Sequence, residues 1–117
     1  MDTVDLEPFD TLELRVRGDG RKYVATLRTE TWVSLPGESH DLWQAFLFAP
    51  PGEWSSVHLP FSRFLKTWRG RVLETEEEMN SRAVLSVGIA LAGGSSLQPP
   101  GPFRLEIAHI VARKLGN

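Results

Sequence analysis

Cysteine is absent from the 117-residue sequence. Disulfide bonds, thiolate nucleophiles and cysteine-ligated zinc sites are therefore excluded. Net charge is also small, because 13 basic side chains nearly balance 15 acidic ones and leave a formal charge of −2 at pH 7. A chain with so little net charge lacks the strong positive charge typical of proteins that bind nucleic acid, so we expect no nucleic-acid partner.

Long hydrophobic runs are missing as well. No apolar stretch approaches the roughly 20 residues that a membrane-spanning helix requires. The first five residues, Met1-Asp2-Thr3-Val4-Asp5, are acidic, whereas a secretory signal starts basic and apolar and a mitochondrial transit peptide is rich in arginine. We therefore expect neither a transmembrane segment nor a targeting peptide in this chain.

Hydrophobic residues make up 41% of the sequence, which is enough for one packed core. Apolar and polar residues alternate in residues 11–17, 22–29 and 84–91, as in strands with one buried face. The turn Gly18-Asp19-Gly20 suits the positive φ angles of a tight hairpin, so we predict that residues 15–17 and 23–25 pair antiparallel.

The remaining segments predict further strands and irregular connections. Residues 42–48 are apolar at nearly every position, which predicts a central strand buried on both faces. We also expect strands at 54–59 and 103–112, the latter with Phe103 facing inward, loops at 31–41 and 92–102, and a helical turn at 74–81. Phe61 and Phe64 are expected to be buried anchors. Short strands separated by turns favour a β-sandwich.

No motif predicts catalysis, a cofactor site or a metal site. Gly18-Asp19-Gly20 resembles the start of a dinucleotide fingerprint, but Tyr23 occupies the position of the third glycine and a strand follows. Arg17-Gly18-Asp19 matches an adhesion tripeptide and is explained by turn chemistry. The three histidines are far apart in sequence, Glu76-Glu77-Glu78 is a solvated run, and no Gly-x-Ser-x-Gly elbow is present.

The four tryptophans are the most informative residues about a possible binding surface, because an indole is both hydrophobic and able to donate a hydrogen bond. Trp43 lies within the apolar run and is predicted to be core, whereas Trp32 and Trp68 lie at segment edges. An exposed tryptophan stacks on sugars or forms a hot spot for a protein partner, and arginine is enriched at such hot spots. Trp32, Trp68, Arg69 and Arg71 are therefore the candidate partner-binding residues.

The order of five sequence blocks resembles a known family almost from end to end. The blocks are residues 12–23, residues 41–48 with Gly52-Glu53-Trp54, residues 59–64, residues 69–72 and residues 101–107. Together they resemble the complex I intermediate-associated protein 30 family. The resemblance implies a galactose-binding-like jelly roll and a non-catalytic assembly factor, or chaperone, for mitochondrial respiratory complex I.

The resemblance also implies the partners and the location. The partners would be complex I assembly intermediates and other assembly factors, with no cofactor. The site would be the matrix side of the mitochondrial inner membrane, with peripheral attachment. We expect a single domain over residues 1–117 that lacks the family's opening strands, because only eleven residues precede the first block. Such a domain would expose strand edges and self-associate.

Two alternatives belong to other functional classes. One is a carbohydrate-binding module, which would need an aromatic platform beside polar hydrogen-bonding groups. The other is a plastid factor for the biogenesis of photosynthetic complexes, since the resemblance extends to relatives in plants and cyanobacteria.

Overall fold

The computed structural model describes residues 3–35, 38–69, 71–92 and 101–116, with the backbone alone for residues 33–35 and 38–39. Within these ranges the chain forms eight strands and one 3₁₀ turn at Phe61–Arg63. In chain order the strands are β1 (Thr11–Arg17), β2 (Lys22–Leu35), β3 (Glu38–Phe48), β4 (Trp54–Pro60), β5 (Leu65–Trp68), β6 (Arg71–Val72), β7 (Val84–Leu91) and β8 (Glu106–Arg113).

The strands form two antiparallel sheets. The smaller sheet has the order β4-β1-β8, and the larger has the order β6-β5-β3-β2-β7. One hydrophobic cluster joins residues of both sheets, which is the arrangement of a β-sandwich. The predicted all-β sandwich is therefore confirmed, while its jelly-roll connectivity remains what the resemblance implies. Within the described ranges, no helical segment has the length and hydrophobicity needed to cross a bilayer.

Strand alternation places the core residues. Every second side chain of β1, β2 and β3 points between the sheets, so polar positions on the same strands point outward. The buried hydrophobic residues, each at most 9% exposed, are Leu12, Leu14, Val16, Tyr23, Ala25, Leu27, Trp43, Ala45, Leu47, Ala49, Leu59, Phe64, Met79 and Val84. The prediction that Trp43 belongs to the core is thus confirmed.

The predicted hairpin between residues 15–17 and 23–25 is wrong. β1 pairs with β4 and β8, whereas β2 pairs with β3 and β7, so the turn connects the two sheets. Its conformation is nevertheless as expected, because Gly20 has φ +83°. The turn packs on Ala49 and Pro50: the amide of Gly18 donates to the Pro50 carbonyl at 3.2 Å, and that of Gly20 to the Ala49 carbonyl at 3.0 Å.

Three predicted boundaries also differ. The expected loop at 31–41 largely belongs to β2 and β3, which stay paired as far as Glu30 and His40 before a register shift; Pro36 and Gly37 lie outside the described residues. Residues 74–80 are irregular and form no helical turn, and Met79 and Asn80 at the end of this segment are buried. The last strand begins at Glu106, and Phe103 is 59% exposed instead of facing inward. Residues 93–100 of the expected loop at 92–102 are outside the described ranges.

Strand β3 is central but is not buried on both faces. Trp43, Ala45 and Leu47 face the smaller sheet, whereas Phe46 is 60% exposed and Phe48 is 55% exposed. The smaller sheet packs on one face only, and no described element covers the other. The apolar residues of β3 therefore serve the core on one side and form an open apolar surface on the other.

The aromatic anchors after β4 are placed largely as expected. Phe64 is 4% exposed, and Phe61 is half-buried against the same cluster. Pro60 ends β4, and the amide of Phe64 donates to the Phe61 carbonyl at 3.1 Å, which closes the 3₁₀ turn. This turn fixes the direction in which β5 leaves the sandwich core.

The close packing of Gly18 gives a first prediction. A Cβ at this position would lie 2.2 Å from the Ala49 Cβ and 2.6 Å from the Ala49 carbonyl oxygen. Gly18→Ala should therefore lower the free energy of unfolding by about 1–3 kcal/mol, as overpacking does, measured by urea denaturation. Gly88→Ala is the control, because nothing lies within 4 Å of its Cβ. Equal effects of both substitutions would contradict the packing argument.

The burial of Phe64 gives a second prediction. Phe64→Ala should lower the free energy of unfolding by about 3–5 kcal/mol, because it removes a buried ring and leaves a cavity. Phe61→Ala should cost less, since that ring is only half-buried. Chemical denaturation of the two variants side by side checks the order; a larger loss for Phe61→Ala would refute it.

Candidate partner-binding surface

Three of the four candidate residues lie together on the β5–β6 hairpin. Trp68 pairs with Arg71 across the hairpin, and Arg69 occupies its turn with φ 51°. Trp68 is 58% exposed, and the guanidinium carbon of Arg69 lies 4.6 Å from the centroid of its ring. We call Trp68, Arg69 and Arg71 the Trp68 surface; it combines an exposed indole with two cationic side chains, the composition of protein-interaction hot spots.

Lys66 anchors this hairpin to the sandwich. Its ammonium group lies 2.6 Å from a Glu77 carboxylate oxygen and 3.6 Å from one of Asp41. The hydrogen bond to Glu77 raises the pKa of Lys66, with the nearby charge of Asp41 acting in the same direction. The neighbouring Thr67 points to the opposite face of β5 and is buried against β3. Both faces of β5 are therefore anchored, and the next residue, Trp68, is exposed to solvent.

Trp32 is also exposed, at 54%, but its indole N–H is engaged. The indole nitrogen donates to the Glu78 carbonyl oxygen at 2.6 Å. Adjacent Glu77 binds Lys66, so residues 77–78 contact both Trp32 and the base of the β5–β6 hairpin. The sequence alone leaves open whether Trp32 and Trp68 are exposed, and the structure shows that both are. The structure adds that Trp32 holds a neighbouring segment in place, whereas Trp68 has an exposed ring stacked with Arg69.

The histidines and acids singled out by sequence are distributed over the fold. His58 and His109 lie on either side of Glu13, with nitrogen–oxygen distances of 2.9 Å and 3.6 Å. The hydrogen bond from His58 lowers the pKa of Glu13, and Arg113 contacts the same carboxylate. Among the described residues, no group of three or more histidine or carboxylate side chains is arranged to hold a metal ion.

In the Arg17-Gly18-Asp19 tripeptide, both side chains are engaged within the fold. Arg17 forms an ion pair with Glu106, and the Asp19 carboxylate accepts hydrogen bonds from the amides of Arg21 at 3.0 Å and Arg104 at 2.7 Å. The Tyr23 hydroxyl also donates to Asp19 at 3.1 Å, and burial raises the pKa of that hydroxyl to about 12. The tripeptide is therefore explained by its structural contacts.

Sequence reasoning missed a second exposed surface, on the outer face of the larger sheet. Phe46, Phe48, Leu65 and Val72 are each more than half exposed there. The apolar run of β3 is the sequence feature that indicates this surface, although the run by itself predicts a strand buried on both faces. When a strand is apolar on both faces, either another layer of the fold packs on each face, or one face is left exposed as an interaction surface.

Comparison with known proteins relates the chain to one family. The family model described as complex I intermediate-associated protein 30 matches residues 1–107. Proteins named "Complex I intermediate-associated protein 30, mitochondrial" are 33% identical over 109 residues in Neurospora crassa and 34% identical over 107 residues in Mus musculus. These alignments cover 92% and 91% of this chain but 36% and 31% of the relatives, so the chain spans about a third of their length.

The ion pair at the end of β1 predicts an acid-dependent loss of stability. The hydrogen bond from Arg17, aided by Arg104, lowers the pKa of Glu106 from 4.5 to about 2. Because its folded pKa is depressed, Glu106 stabilises the fold fully above pH 4.5, and this contribution disappears as the pH falls towards 2. Glu106→Gln should flatten the fall in unfolding free energy over this range.

Urea unfolding at a series of pH values between these limits measures the effect. Glu53→Gln is the matched control, because Glu53 forms no ion pair within the described part of the chain. A pH profile that Glu106→Gln leaves unchanged would contradict the role of the Arg17–Glu106 pair.

Proposed function

Because the chain belongs to the complex I intermediate-associated protein 30 family, we propose that it acts as a non-catalytic assembly factor for respiratory complex I. The observation that carries this proposal is the family match over residues 1–107. The relatives are named for association with a complex I intermediate and for mitochondria. The function is to bind assembly intermediates and other assembly factors at the matrix side of the inner membrane, peripherally attached.

The Trp68 surface is the part of the molecule that best supports a protein-binding role. Its indole is exposed, its two arginines offer charge and planar hydrogen bonding, and β5 is anchored by the Lys66–Glu77 ion pair and by buried Thr67. A preorganised aromatic–arginine patch loses little conformational entropy on binding. We assign this surface to contact with an assembly intermediate, with Trp32 supporting the neighbouring segment.

The two alternatives have less support. Sugar stacking uses an open aromatic face beside polar groups, whereas one face of the Trp68 ring carries Arg69 and the Trp32 N–H is bound to Glu78. A glycan array tests this alternative directly. The plastid alternative is disfavoured because the matched relatives in Neurospora crassa, Mus musculus and Drosophila melanogaster are named mitochondrial.

The function is tested in cells that lack their own family member. The chain, directed to the matrix by the host protein's leader and exchanged for the homologous segment of that protein, should restore complex I on native gels. Trp68→Ala combined with Arg71→Glu should reduce both the restored complex and the co-purified intermediates at least about tenfold, as loss of a hot spot does. Trp54→Ala is the matched control, since that tryptophan is 39% exposed on β4.

The non-catalytic part of the proposal has its own test. Each acid or histidine that could serve as a catalyst is replaced singly: Asp19, Glu30, His40, Asp41, His58, Glu106 and His109. Folded variants should still restore complex I. A folded variant that abolishes restoration while partner binding is unchanged would identify an enzyme.

A further inference from the structure

The outer face of the larger sheet carries a groove that the Trp68 surface does not include. Val24, Phe46, Leu65 and Val72 line it together with Arg63, and its volume is about 400 Å³. We call these five residues the outer groove. Phe46 is 60% exposed and Val72 is 58% exposed, although both lie on paired strands. A contiguous patch of large apolar side chains that is exposed on a paired sheet indicates an interaction surface.

The shape of this face suits a helix. The groove crosses four neighbouring strands, β6, β5, β3 and β2, a width of about 14 Å at the usual strand spacing. Beside it, β7 presents only small side chains: Ser86, Gly88 and Ala90 lie opposite Arg28, Thr26 and Val24. The groove is therefore wide enough for an α-helix, which is about 10–12 Å across, and the small side chains of β7 do not obstruct it.

The charge on this face is positive. The Lys22 ammonium lies 4.9 Å from the Phe46 ring centroid, Arg63 lines the groove, and Arg28 is exposed on the same face of β2. Among strand residues whose side chains the structure describes, Glu30 is the only carboxylate that points to this face. An apolar groove bordered by basic side chains is complementary to a partner whose apolar residues are flanked by carboxylates.

We propose that the outer groove binds an amphipathic α-helix of a partner protein whose apolar stripe is bordered by acidic residues. This inference rests on the proposed function, in that the partner is a protein in an assembly intermediate. A helix is favoured over a membrane surface because the apolar residues line a groove with arginine among its lining residues, whereas membrane insertion requires apolar residues that protrude. The Trp68 surface lies on the opposite face of the same β5–β6 hairpin, so one intermediate could engage both.

The binding test uses the full chain and two synthetic helices of about 18 residues, about five turns each. Both carry a leucine stripe; one has glutamates beside the stripe and the other has lysines. In fluorescence-anisotropy titrations the glutamate helix should bind and the lysine helix should not. Phe46→Ala should weaken binding at least about tenfold, as removal of an anchoring aromatic does, and Arg28→Glu with Arg63→Glu should invert the preference between the helices.

Matched controls lie elsewhere on the surface. Phe103→Ala removes a ring that is 59% exposed outside the groove, and Arg15→Glu reverses a charge on the smaller sheet; neither should change binding. Thermal unfolding of every variant verifies the fold, and Leu65→Ala repeats the test if Phe46→Ala unfolds.

Several outcomes would overturn the proposal. The first two are equal binding of both helices and helix binding that neither Phe46→Ala nor Leu65→Ala weakens. The others are binding to phosphatidylserine vesicles in place of the helix, and formation of a homodimer that Phe46→Ala dissociates. The cellular assay separates this inference from the proposed function. If wild-type chain restores complex I and folded Phe46→Ala does so equally well, the groove fails and the function stands. If wild-type chain does not restore complex I, the function fails whatever the helices show.

Discussion

The packing of a three-stranded sheet on a five-stranded one is the constraint on which the other features of this domain depend. β1 supplies Leu12, Leu14 and Val16 to the core and β4 supplies Leu59, and these residues pack in one cluster with residues of the larger sheet. Three strands are narrower than five by about 10 Å. One end of the larger sheet therefore extends beyond its cover, and its outer face has none among the described residues.

The overhanging end is completed by chain segments instead of strands. The irregular segment 77–80 places Met79 in the core, pairs Glu77 with Lys66, and accepts a hydrogen bond from Trp32 at the Glu78 carbonyl. Phe64 and Met79 lie with Trp43 around a shared cavity of about 350 Å³. These contacts hold β5 and β6 at the edge of the fold, where a short hairpin would otherwise be unstable.

The hairpin thereby presents two chemically different faces. Alternation along β5 and β6 places Trp68 and Arg71 on one side and Leu65 and Val72 on the other. The first is aromatic and cationic, and the second continues the apolar outer face of β3. Elsewhere on the surface, side chains singled out by the sequence are engaged with neighbouring strands: Arg17 forms an ion pair with Glu106, and His58 forms a hydrogen bond with Glu13.

The sequence by itself determined which residues face the core of most strands, because burial on a pleated strand must repeat every second residue. Leu14, Leu27 and Leu47 follow that rule. It also determined the positive φ of Gly20, which only a residue without a Cβ adopts readily. The order of its blocks was sufficient to indicate the family.

Only the tertiary structure decided which strands pair and which faces are covered. The Gly18–Gly20 turn is compatible with a hairpin or with a crossing between sheets, and its contact with Ala49 selects the crossing. The apolar run of β3 is compatible with one cover or two, because periodicity records apolar side chains and not what packs on them. Partners such as Glu77 for Lys66 or Glu106 for Arg17 are brought together by the fold, since 11 and 89 residues separate them in the chain.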